Sequence, residues 1–234
     1  MKVTITPSSK LVLKYLALPH SIGGRGGALR YFLLSQEIPF EEKLFAMGDE
    51  WAAEKKRLVE SGENPCGAVP IIEVVSKDKD DAAVTILPQH IATARLLAKV
   101  YQRTSGDVYQ DYVQDLVADE YQGFRDKWVQ IAFVSTSDKE KEDYCQIEQP
   151  PLLAKFNALY QQFKTHETFL SVDATNGKPL WGDAAIFGLL RDLTLTGQLT
   201  LDELNEYPAL TAMYHAFEKI PAVAEWIEKA LAAN

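Results

Sequence analysis

Asn64-Pro65-Cys66-Gly67-Ala68-Val69-Pro70-Ile71-Ile72-Glu73-Val74 and, further on, Leu87-Pro88-Gln89-His90-Ile91-Ala92-Thr93-Ala94-Arg95-Leu96-Leu97-Ala98-Lys99 decide the fold. In the first stretch a proline stands directly ahead of an apolar run. Proline cannot donate to a β-ladder and belongs at a strand's first position or on an edge. Two geometries are open. A cis Val69–Pro70 bond turns the chain sharply and leaves the Val69 N–H and C=O facing outward, able to bond an extended peptide as an added strand would. An ordinary trans proline at a strand start is the commoner arrangement for an isolated X–Pro. The second stretch passes from a strand straight into a helix. The first free N–H groups there, with the helix dipole, favour a carboxylate, and the Gln89 amide can add a second contact.

Working outward, Lys10–Leu18 has the pattern of a strand, and a glycine cluster at 23–27 follows it. From Ala28, the residues Leu29, Phe32, Leu33 and Ile38 predict a short helix. Phe40–Ala46 predicts a second strand, and Asp49 can cap a helix to about Ser61. Val69–Val75 and Ala83–Leu87 are strands joined through the acid-rich hairpin connection Ser76–Asp81, and Gln89–Gln102 is helical. The order β-α-β-α-β-β-α predicts an α/β unit with a mixed sheet. Beyond Thr104-Ser105-Gly106 the strand signals stop. Asp107–Phe133, Pro150–Phe169, Asp183–Thr196, Leu201–Glu206, Ala209–Lys219 and Ala222–Ala232 have helical patterns, and the polar Ser135–Gln149 is expected as an exposed loop or frayed helix end. The expected division is 1–102, a linker at 103–107, and an all-helical 108–234.

Composition narrows the function. The 234 residues are 47% hydrophobic and 24% charged, ordinary for a globular chain. Thirty-three acids against 24 bases give a net charge of −9, which argues against general binding to nucleic-acid phosphates. Two cysteines, Cys66 and Cys145, are too few for a disulfide scaffold and suit a reducing compartment. No apolar run approaches a membrane span, and no secretory signal is visible at the N-terminus, so a cytoplasmic, non-membrane protein is expected. The glycine cluster fails the dinucleotide fingerprint because Leu29 stands at the third glycine position, and no Gly-Lys-Ser/Thr follows. His20, His90, His166 and His215 are scattered without metal-ligand spacing, so no metal is expected.

Together the two opening stretches resemble the glutathione-binding half of the cytosolic glutathione transferases, with their Val/Leu-Pro before a third strand and their Gln-Ser opening a third helix. Other segments agree. Glu50-Trp51-Ala52-Ala53-Glu54-Lys55-Lys56 is similar to the Trp-x-x-x-Lys of the mu-type members, and Arg25-Gly26 with Arg30 to the Arg-Gly-Arg of the tyrosine-type classes. Trp181-Gly182-Asp183 and the run from Tyr207-Pro208 to Ile220-Pro221-Ala222-Val223 resemble the family's C-terminal half. The likeness covers about residues 10–232. It implies a thioredoxin-like N-terminal domain plus an all-helical C-terminal glutathione-transferase domain, a homodimer, and glutathione as co-substrate with no further cofactor.

Glutathione carries two carboxylates, an amine and a thiol. The resemblance implies Lys55 and the Trp51 indole N–H at the glycyl carboxylate, the Val69 backbone beside Pro70 at the cysteinyl unit, and Gln89 with the His90 N–H at the γ-glutamyl carboxylate. Trp51 can equally be a packing residue and Lys55 a solvated one. The thiol must be converted to thiolate by a hydroxyl donor and nearby positive charge. Tyr15 and Ser21 are the candidates, with Arg25 supplying charge. Strict tyrosine-type spacing lands on Pro19, which has no hydroxyl, whereas Ser21 stands four residues before Arg25 as in the serine-type classes. Tyr15 is preferred, on the tyrosine-type look of the surrounding segments; a core strand tyrosine and a loop serine remain the plain alternatives. His90 replaces the family's usual Ser or Thr, and Leu180 stands where a Ser or Thr cap often precedes Asp183.

Asp107, Asp111, Asp115 and Asp119 recur every four residues on one helix face. Charge runs are most often solvated. In the resembled family this helix lies at the dimer two-fold, which implies that Asp111 or Asp115 reaches the ligand amine of the partner subunit. Tyr112 or Tyr121 can line an apolar pocket. The expected function is conjugation of the glutathione thiolate to an apolar electrophile. The alternatives are a non-catalytic binding or structural member of the same fold, or a glutathione-dependent peroxidase or isomerase.

Overall fold

A computed structural model describes residues 5–75 and 84–232. The first half contains β1 (Lys10–Leu16), α1 (Gly24–Ser35), β2 (Glu41–Phe45), α2 (Asp49–Glu60), β3 (Ile71–Val75), β4 (Val84–Pro88) and α3 (His90–Val100). The sheet order is β2-β1-β3-β4, with β1 and β2 parallel and the remaining pairs antiparallel. The connection at Ser76–Asp81 lies outside the described residues, as does the first residue of the Ala83–Leu87 strand. The second half is helical: α4 (Val108–Val129), α5 (Asp138–Asp143), α6 (Gln149–Phe163), α7 (Trp181–Leu195), α8 (Leu201–Leu204), α9 (Pro208–Glu218) and α10 (Pro221–Ala232). This is a thioredoxin-like sheet half followed by a helical half. None of the described helices is long and apolar enough to cross a membrane.

One continuous core joins the halves. Every residue of α7 from Trp181 to Leu193 is buried, as expected of a helix with neighbours on all sides. Tyr31 of α1 meets Phe187 of α7 edge-to-face at 4.9 Å, and Phe187 stacks on Phe217 of α9 at 4.5 Å. Such aromatic pairs add about 0.5–1.5 kcal/mol beyond their burial.

Several boundaries differ from expectation. Helix α1 begins at Gly24 instead of Ala28. The glycines there have a packing reason: a Cβ on Gly26 would stand 2.5 Å from the Tyr15 ring beneath it. The stretch 135–149 is not a loop. It holds α5, whose N-cap Ser137 accepts from the Glu140 N–H at 3.2 Å, and a π-helical turn at Tyr144–Glu148 that runs into α6. The fully buried Tyr144 anchors it. Helix α6 ends at Phe163, where Lys164 turns extended, and not at Phe169. Asp49 is the first residue of α2, whose N-cap is Gly48.

Leu180 precedes α7 without a side-chain cap, but the helix is capped from elsewhere. Gln114 of α4 takes the Gly182 and Asp183 N–H groups on its Oε1 at 2.7 and 3.3 Å and donates from Nε2 to Asp183 at 2.9 Å. Asp183 also accepts from the Tyr160 hydroxyl at 2.9 Å and the Leu170 N–H at 3.1 Å. Burial pushes its carboxyl up to about 7 against the pull of these donors. Gly182 permits the contact, since a Cβ there would lie 2.8 Å from the Gln114 carbonyl oxygen.

Candidate active site

A pocket opens between the sheet and the start of α1. Its walls are Arg25, Cys66, Ala68, Val69, Pro70, Pro88, Gln89 and His90. Of the two geometries open for Val69–Pro70, the bond is cis. Val69 lies outside both β3 ladders, and none of the described backbone hydrogen bonds uses its N–H or C=O. Gln89 stands at the N-cap of α3 with φ of 70° and ψ of 100°, and its side chain makes no capping hydrogen bond. Backbone groups for an extended peptide unit and helix N–H groups for a carboxylate therefore share one cavity.

His90 forms part of the same wall, with its side chain 4% exposed. Its ring meets Tyr121 edge-to-face at 5.9 Å, and its Nε2 has no hydrogen-bond partner among the described residues. Burial lowers its pKa to about 3, helped by the positive charges of Arg125 and Arg25. The imidazole is neutral at physiological pH and adds no charge to the site.

The candidates for thiol activation separate. The Tyr15 ring lies beneath the first turn of α1, and its hydroxyl accepts the Arg25 N–H at 3.1 Å. Burial raises the Tyr15 phenol above its ordinary value, so it stays protonated and able to donate; Arg125 and the Arg25 N–H pull it the other way. Tyr15 is one hydrogen bond behind the pocket wall and not among the residues lining it. Ser21 faces elsewhere: its hydroxyl donates to the Ala230 carbonyl of α10 at 3.0 Å. Between Tyr15 and Arg25 the chain makes a tight turn at Pro19–Ser21, where His20 and Ser21 have positive φ. Arg25 lines the pocket and pairs with Asp126 of α4.

Lys55 is exposed, and its Cε reaches to 3.4 Å from the position of a Cβ on Gly67, between the wall residues Cys66 and Ala68. The half-buried Trp51 ring leans on Phe45 with centroids 5.9 Å apart and does not line the pocket. Asp111 accepts from the Ser105 N–H and hydroxyl at 3.1 and 2.6 Å. Asp115 accepts from the Trp181 indole at 2.9 Å and faces Arg95 at 3.5 Å. Both carboxylates thus have partners within the chain. Tyr121 is fully buried, whereas Tyr109 and Tyr112 are exposed with their rings paired at 5.9 Å. Sequence reasoning missed Arg125, Asp126 and Asp192. The sequence signal for Asp192 is the adjacent charged pair Arg191-Asp192 inside the largely apolar run Ile186–Leu195.

Residues 122–230 match the family model described as the glutathione S-transferase C-terminal domain. The chain is 24% identical over 201 residues to Glutathione S-transferase S1 of Drosophila melanogaster, covering 86% of this chain and 72% of that one. Among solved structures it is similar to the Pi-class glutathione S-transferase of Onchocerca volvulus, with TM-score 0.74, 22% identity, and 95% and 94% of the two chains covered. It is likewise similar to a sigma-class enzyme of Fasciola hepatica, with TM-score 0.73, 19% identity, and 95% and 97% covered.

Proposed function

With a glutathione S-transferase fold along its length and that family's C-terminal domain at 122–230, the chain is a member of the cytosolic glutathione S-transferase family, and we propose that it binds glutathione and transfers the thiolate to an apolar electrophile. The observation that carries this reading is the meeting of the unused Val69 backbone with the uncapped start of α3 in one pocket. The Val69 N–H and C=O pair with the cysteinyl unit as a short added strand. The γ-glutamyl carboxylate takes the α3 N-terminal N–H groups and the Gln89 amide, and Lys55 answers the glycyl carboxylate.

The bound thiol gives up its proton to solvent, Tyr15 reaches past the first turn of α1 to donate a hydrogen bond from its hydroxyl to the thiolate so formed, and Arg25 adds positive charge. A free thiol titrates near ~8.5, and bringing it down two units takes about 2.7 kcal/mol of preference for the thiolate. One phenol donor and one guanidinium in a partly desolvated site are of that order. The thiolate then attacks the electrophile: a sulfur–carbon bond forms, the leaving group departs with its electron pair, and no redox partner is needed. The protein acts as a cytoplasmic homodimer, with α4, whose Val108, Tyr109 and Tyr112 are exposed, at the two-fold.

A conjugation assay with a chloronitrobenzene and glutathione near neutral pH tests the reading, alongside calorimetry. Glutathione-dependent turnover is expected; the absence of both turnover and binding would overturn the reading. A second reading, a glutathione-binding member without turnover, is favoured by the withdrawal of Tyr15 behind the wall and the pairing of Arg25 with Asp126. Binding without conjugation would select it.

A further inference from the structure

Two buried charges from different helices lie behind the pocket. Arg125 of α4 donates from Nη1 to Asp192 of α7 at 2.6 Å, and both side chains are wholly buried. Asp192 also takes the Gly23 and Gly24 N–H groups at 2.7 and 2.8 Å, so its carboxylate fills the start of α1. The next N–H of that turn, from Arg25, goes to the Tyr15 hydroxyl. On its other side, Arg125 donates from Nε to the Tyr121 hydroxyl at 3.0 Å, and the Tyr121 ring supports His90. The Trp128 ring covers the guanidinium at 4.7 Å. The chain of contacts therefore runs from the α1 wall of the pocket to the His90 wall.

A buried ion pair is often no more stabilising than an apolar pair of the same volume, so stability alone gives little reason for this one. We infer that Arg125 and Asp192 are positioning residues for the transfer proposed above: Asp192 sets the start of α1, and with it the Tyr15 hydroxyl and Arg25, against the thiol. Arg125 fixes Asp192 and, through Tyr121, the His90 wall. Neither residue lines the pocket, and both side chains are wholly buried with their charges turned toward each other. The inference rests on the glutathione-transfer reading and goes beyond it by naming what aligns the activating groups.

The test is a pH titration of the ultraviolet absorbance of bound thiolate in the full chain, with kcat and KM for glutathione. Asp192→Asn offers one acceptor oxygen in place of two, so at least one of the three donors loses its partner, and Arg125 is left without a counter-charge. A purely electrostatic role predicts that the bound thiol pKa falls, because the guanidinium charge is uncovered. A positioning role predicts the opposite: a rise of about one unit, a loss of about tenfold in kcat below that pKa, and KM within about twofold. The double variant Arg125→Met/Asp192→Leu removes both charges while keeping the volume, and protects the test against misfolding of the single variant. It is expected to melt well above Arg125→Met alone and still show the raised thiol pKa. An unchanged or lowered thiol pKa in the folded variants overturns the inference and leaves the transferase reading standing. A wild-type chain that binds no glutathione overturns both.

Discussion

Three helix starts in this molecule have the same chemical need and meet it in different ways. The first N–H groups of α7 are taken by Gln114 and those of α1 by Asp192, each reaching across from another helix. The start of α3 takes no capping bond from its own N-cap side chain and, among the described residues, faces the pocket beside Val69. Helix N–H groups withdrawn from water are costly when unmet. The two buried starts are therefore completed by the protein, and the one at a cavity is the start to which the proposed function assigns a ligand carboxylate.

The comparison can be broken most severely at α1. Removing Arg125 alone, as Arg125→Met, leaves Asp192 as an uncompensated buried charge. A loss of about 3–5 kcal/mol is expected in urea denaturation. The double variant with Asp192→Leu should recover most of it; equal losses in the two would mean that the charges do not act as a pair. At α7, Gly182→Ala pushes a methyl into Gln114, with an expected cost of about 1–3 kcal/mol. Gln114→Ala costs a similar amount by freeing the Gly182 and Asp183 N–H groups. At α3, Gln89→Ala should leave stability within about 0.5 kcal/mol and act on ligand affinity alone. Equal destabilisation at α3 and α7 would erase the distinction between an open and a closed helix end.

pH separates the same regions with opposite signs. The folded-state value of Asp183, about 7, lies above the ordinary 3.8. Its contribution to stability is fully present below about pH 4 and is lost as pH rises to about 7. His90 is held down to about 3 from 6.5, so its contribution is present above about pH 6.5 and is lost as pH falls toward 3. Denaturation midpoints at pH 4.5 and 7 should show His90→Gln gaining on the wild type as the medium is acidified, and Asp183→Asn losing ground over the same change. Shifts of the same sign in the two variants would contradict these environments. The smallest effect is expected at the pocket mouth, where Asp126→Ala breaks an exposed ion pair worth less than about 1 kcal/mol. It should barely move the melting temperature while lowering the bound thiol pKa, because Arg25 is released.

The part of this arrangement legible in the sequence is local. A proline set before an apolar strand and a strand running straight into Gln89 and His90 are visible in a few consecutive residues, and they locate the pocket walls. The succession of strands and helices in the first half and the helical character of the second follow from hydrophobic periodicity, whereas the order of the strands within the sheet comes only from the structure. What stayed hidden depends on partners far away in the chain. Gln114 looks like any helix surface glutamine until it meets Gly182, 68 residues on. Glycine is a poor helix former, so a helix beginning at Gly24 is not expected until Tyr15 below it and Asp192 at its start are seen. The 135–149 stretch carries the charge of a loop, and its order comes from the buried Tyr144 and from Gln149 at its end, whose Nε2 donates to the Gln198 carbonyl at 2.8 Å.

The central claim, that the open start of α3 is kept for a ligand carboxylate, is tested most directly by calorimetry on the full chain. The titrants are glutathione and glutathione amidated at the γ-glutamyl α-carboxylate. Binding of glutathione and at least about a tenfold loss for the amide, which is about 1.4 kcal/mol, is the expected result. Equal affinity for the two, or no affinity for glutathione, would contradict it.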